Sequence, residues 1–147
     1  TQPLDRPTDF GRVVDQVLAK VSNRCLFVIL SDLFEDAERI RSALARIRHR
    51  RHDAIIFQIL DDAELDFTFD EPTVFDGLEG EERVRVNPRT IRDGYLEVLR
   101  EHLASVERAA LGFGFDYQLV RNGSYLGPTL AQFVAVRNAK IKGSKMG

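Results

Sequence analysis

The sequence predicts an α/β protein built as a three-layer open parallel sheet, and three observations predict it. Two runs, CLFVIL at 25–30 and AIIFQIL at 54–60, are apolar with almost no polar alternation, as expected of strands covered on both faces. Around them, apolar residues recur at spacings of three and four, the period of one helix face. The two kinds of segment alternate along the chain, the pattern of a parallel sheet with helices on either side.

In chain order, Phe10, Val13, Val14, Val17, Leu18 and Val21 predict a helix from Asp9 to about Val21, capped by Thr8 or Asp9. The first strand follows at 25–30. The stretch DAERIRSALARIRHR places Ile40, Leu44 and Ile47 on one helical face and Glu38, Arg41 and Arg48 toward water. The second strand spans 54–60. Between 64 and 86, LDFTF and RVRV alternate apolar with polar around the glycines of DGLEGEE, predicting a small β-hairpin excursion. Asn87 and Pro88 then open a long helix with Ile91, Tyr95, Leu96, Leu99, Leu103, Val106 and Ala110 along its buried stripe. GFG at 112–114 ends it. FDYQLV at 115–120 is a third strand, and a final helix runs from Pro128 to about Arg137. Residues 1–138 thus read as a single domain, and 139–147 as a basic, frayed tail.

Composition narrows the function classes. The 147 residues are 44% apolar and 30% charged, with a formal net charge of -2 and a pI near 5.9. There is no global positive field for a phosphate backbone, so nucleic acid is not the expected partner. No apolar run approaches the length of a membrane span, and TQPLDRPTDF lacks the regions of a signal peptide. The expectation is a cytoplasmic protein. The lone Cys25 opens an apolar run and reads as a small hydrophobe.

Candidate sites are few. Asp32 is the first charged side chain beyond the first strand, and the carboxyl ends of parallel strands are where ligands bind in open sheets. Ser31 and Asp32 also suit a local role, bonding to loop backbone and helping to cap the helix that begins near Glu35. RIRHRRH at 46–52 matches basic residues that complement a helix C-terminus. His49 and His52 lack the companions of a zinc site. The carboxylates of DDAELD at 61–66 read as exposed loop charges.

Four segments, LFVILSDLFED, HDAIIFQILDDAELDF, VFDGLEGEERVRVNPRTIRDGYLEVLREHL and GFDYQLV, resemble in order and spacing the second half of a bacterial family with a von Willebrand factor A-like domain. That family is catalogued as domain of unknown function fifty-eight. The resemblance runs from Thr8 to Arg137. It implies half of a Rossmann-type A domain, with the three strands side by side in chain order. It also implies a role as an interaction partner of MoxR-type AAA+ ATPases. In A domains a metal site combines an Asp-x-Ser-x-Ser loop, a threonine and an aspartate. Thr8 and Asp32 match the last two by position, but nothing here reads as Asp-x-Ser-x-Ser. The resemblance therefore implies the remnant of an incomplete site, no cofactor in this chain, and Mg²⁺ only in a complete domain.

The expected function is a non-catalytic interaction module. The alternative is a doubly wound phosphoryl-transfer enzyme or Mg-dependent hydrolase using Asp32, with Asp61 or Asp62 nearby. Such a site also calls for a well-placed cation and a full Mg²⁺ shell, and neither is evident. The strand at 25–30 has the composition of a central strand, without lysine, proline or inward charge to protect an edge. A homo-oligomer through residues 25–30, by edge pairing or exchange of the first helix, is the expectation for this chain.

Overall fold

The protein is described by a computed structural model covering residues 9–66, 87–122 and 126–145. Thr8 and residues 67–86, which hold most of the expected hairpin, lie outside the described residues. The elements are α1 (Phe10–Lys20), β1 (Leu26–Ser31), α2 (Ala37–His49), β2 (Asp53–Leu60), α3 (Asp62–Asp66), α4 (Pro88–Gly112), β3 (Asp116–Arg121) and α5 (Leu126–Lys145). The three strands form one parallel sheet in the order β1-β2-β3. This is the three-layer α/β architecture that the apolar runs predicted.

The layers are unequal. One face of the sheet carries α1, α2 and α4, whose Phe10, Val14, Leu18, Ile40, Leu44, Ile47, Val106 and Ala110 meet Ala54 and Ile56 of β2 in the main core. The opposite face has a smaller cluster of Ile55, Phe57 and Val120, with Ile59 and with Phe133 of α5 packed against it. The Phe57 and Phe133 rings meet edge-on, 5.0 Å between centroids. β2 is buried along nearly its whole length, as its unbroken apolar run requires.

β1 departs from the expected cover on both faces, because its exposure alternates. Phe27 and Ile29 turn into the main core. Leu26, Val28 and Leu30 are 50, 56 and 64% exposed on the α5 side. Among the described residues β1 pairs only with β2, which leaves its outer edge open.

Helix ends follow local chemistry. Asp9, Asp36 and Asn87 cap α1, α2 and α4 with side-chain oxygens, and Pro88 occupies the first turn of α4. α2 and α4 close alike. His52 N–H reaches Ile47 O and Arg51 N–H reaches Arg48 O, while Phe115 N–H reaches Ala110 O and Gly114 N–H reaches Leu111 O. The left-handed position after α4 is Gly114, at φ 76°. After α2 it is Arg51, at φ 63°, where a side chain costs roughly 1 kcal/mol relative to glycine.

Three expectations need correction. The hairpin does not begin at residue 64, because Leu65 and Asp66 belong to α3. Asp61 Oδ1 accepts from Ala63 N–H while Glu64 Oε2 accepts from Asp61 N–H, a capping box whose local bonds override the alternating pattern. The stretch expected to be a frayed tail is helical as far as Lys145. Its alanine and lysines favour helix, and the basic residues near its end suit the helix dipole. In α1, Phe10, Val14 and Leu18 are buried, but Val13 and Val17 are exposed. α1 rests on α2 rather than under a third element, so its apolar stripe is only partly used.

Candidate functional site

The loop from Ser31 to Asp36 joins β1 to α2 at the carboxyl end of the sheet, and several hydrogen bonds hold it. Ser31 Oγ accepts from Leu33 N–H at 3.1 Å, and Asp32 Oδ1 accepts from Phe34 N–H at 3.2 Å. Gln58, fully buried on β2, donates from Nε2 to Asp32 O at 2.8 Å. His102 Nε2 of α4 donates to Leu33 O at 2.7 Å. Glu35 Oε1 accepts from Phe10 N–H at 2.7 Å, tying the loop to the start of α1. Leu33, buried and at φ 52°, is held in a left-handed conformation by this set of bonds.

Beneath the loop lies a polar relay. Gln58 Oε1 accepts from Tyr117 Oη–H at 2.7 Å. Burial, with a smaller contribution from the Glu107 carboxylate, pushes the Tyr117 hydroxyl up to about 12. The protonated hydroxyl is therefore the donor that Gln58 requires, and Gln58 in turn fixes the loop carbonyl.

Asp32 sits where the sequence placed it, exposed just past the strand end. One of its oxygens completes a local turn. Ser31 and Asp32 serve the loop itself; the cap of α2 is Asp36, which accepts from Glu38 N–H and Arg39 N–H. Thr8 lies outside the described residues. Among the described residues no three histidine, cysteine, aspartate or glutamate side chains gather as a metal site. A Mg²⁺ ion needs six oxygens in near-octahedral array, and the lone carboxylate of Asp32, already accepting from Phe34, does not fit it.

The other candidates are engaged elsewhere. Asp61 is used in the capping box, while Asp62 and Asp66 flank Arg121 at 3.4 and 3.6 Å. Within the basic run, Arg46 pairs with Asp15 at 2.7 Å and Arg50 donates to Leu18 O in the last turn of α1. Those two arginines fasten α2 to α1. His52 is buried beside the Phe27 ring, and its Nδ1 accepts from Cys25 N–H at 3.0 Å. It is thus a core residue, and Cys25 donates its thiol to Asn23 O.

Ser31 and Asp32 bond to loop backbone as expected from the sequence, whereas Gln58 and His102, which fix the loop from outside, were not singled out. Gln58 had a signal, as the one polar residue interrupting AIIFQIL. His102 stands three residues after Leu99, at helical spacing on the predicted stripe. Their partners are distant in sequence and carried none.

A family model described as "Protein of unknown function DUF58" matches residues 1–105. The chain belongs to this family. The DUF58 span takes in β1, β2 and the candidate loop and ends within α4. β3 and α5 lie beyond it, although the resemblance noted in the sequence extends to Arg137. No curated protein and no solved structure matches the chain.

Proposed function

We propose that this DUF58 chain is a non-catalytic, von Willebrand factor A-like protein-interaction module, and that one of its partners is a second copy of itself. The observation that carries this reading is β1, apolar, unpaired along its outer edge among the described residues and exposed on one face. An unpaired edge offers backbone donors and acceptors to another strand. Two copies can pair antiparallel about Val28, setting Leu26 opposite Leu30 and Phe27 opposite Ile29 of the other chain. Opposed residues then share a face, and the exposed leucines and valines of both copies form one apolar stripe. Exchange of α1 would keep the Arg46 and Arg50 contacts with α2, made across the two copies.

A MoxR-type AAA+ ATPase as a further partner rests on the family resemblance alone, and a cytoplasmic setting on the lack of a membrane-length apolar run and of signal-peptide regions in TQPLDRPTDF. Among the described residues no helix is long and apolar enough to cross a membrane. Sedimentation of the full chain at micromolar concentration should show a dimer. A stable monomer at that concentration would overturn the reading.

A further inference from the structure

A second surface lies on the other side of the sheet, between the pinned loop and α4. A groove of about 400 Å³ is lined by Phe34, Glu35, Asp36, Tyr95, Val98, Leu99 and His102. Leu99 forms its buried floor, while Phe34 and Val98 stand 45 and 68% exposed on its two sides. Exposed aromatic and aliphatic side chains facing one another across a cleft are the ordinary form of an anchor site for a single apolar side chain.

The charge around the groove is one-sided. Glu35 and Asp36 line it, and among the described residues no lysine or arginine does. Each of these carboxylates accepts backbone N–H bonds through one oxygen. Neither forms an ion pair with a described residue. Among the described residues no cation answers these two carboxylates, so the groove presents negative charge beside its apolar seat. The loop backbone is fixed by Gln58, His102 and its own side chains, so Phe34 is presented with little ordering left to occur on binding.

We propose that this groove binds a cationic amphipathic segment of a partner protein, seating one apolar side chain between Phe34 and Val98 and placing lysine or arginine against Glu35 and Asp36. The site is separate from the β1 edge and does not depend on dimerisation. An acidic or wholly apolar segment would leave the two carboxylates unanswered or desolvated, and so is disfavoured.

The test uses fluorescence anisotropy with a short helical peptide carrying leucines on one face and arginines on the other. The control has the same leucines with glutamates replacing the arginines. The arginine peptide should bind the full chain, more weakly as salt is raised, and the glutamate peptide should not. Val98→Asp and Phe34→Ser should each weaken binding at least about tenfold. Both positions are exposed, so both variants should melt like the parent. Val98→Asp is decisive because the added negative charge would strengthen a purely electrostatic association; weaker binding can only report loss of the apolar seat. Equal binding of the two peptides, no binding of either, or binding undiminished in both variants would overturn the proposal. Either result is readable whether the chain sediments as a monomer or as a dimer.

Discussion

Gln58 connects three parts of the molecule through a single side chain. Its amide donates to the carbonyl of Asp32 and accepts from Tyr117, so a strand, a loop and a second strand share one buried polar link. The link holds only while Tyr117 keeps its proton. In the unfolded chain a tyrosine titrates near 10, whereas in the fold this one is raised to about 12. Between those values the folded state binds more protons than the unfolded one, so stability falls as pH rises through that window. Below it the contribution is intact. Tyr117→Phe should lower stability at neutral pH, by leaving Gln58 Oε1 without its donor, and should also flatten the alkaline decline. Melting temperatures of parent and variant across the alkaline range check this; parallel curves would show that Tyr117 does not govern the slope.

At the scale of elements, α4 illustrates what periodicity can say. The stripe from Ile91 to Ala110 does face the protein, but its burial is uneven. Leu99, Val106 and Ala110 are buried, whereas Leu103 is only partly so. Leu99→Ala should cost about 2–5 kcal/mol by leaving a cavity, and Leu103→Ala distinctly less. Denaturant melts that rank them the other way would mean that α4 is rotated from the orientation described. The strands and long helices were legible because burial on both faces, or on one stripe, imposes a period on the residues themselves. α3 was not, since Asp61 and Glu64 make a helix through caps rather than through an apolar face; D-x-x-E was the available signal. The candidate loop was legible as a position and illegible as a structure. Asp32 announces a strand end, whereas the bonds from Gln58 and His102 join residues 26 and 69 apart in sequence.

At the scale of the whole molecule, the sheet is thick on one side and thin on the other. Three helices back the first face, and α5 covers only part of the second, leaving β1 exposed there. Val28→Lys tests the consequence for assembly. The site is already half open to solvent, so the monomer should fold normally, but in the two-fold arrangement the new charges would lie opposite each other. The variant should sediment as a monomer at concentrations where the parent dimerises. A variant that still dimerises would move the interface away from this strand.

The thin side has one more consequence, which concerns time rather than shape. α5 is fastened by the Phe133 ring and by Arg137, whose guanidinium binds Asp116 and also Asp53, the latter at 3.1 Å. Those aspartates begin neighbouring strands, so a single cation closes the helix over both. With these attachments among the described residues, α5 is expected to open more readily than the other face, with the Arg137 latch governing how often. Along this chain, protection from hydrogen exchange should therefore fall into two classes, a slow one in β2 and α2 and a fast one in α5. Arg137→Met should quicken the second and leave the first unchanged. Uniform acceleration would mean that both faces open together. In the parent, each opening would briefly bare Ile55, Phe57 and Val120, making the second face of the sheet an intermittent surface as well as an incomplete one.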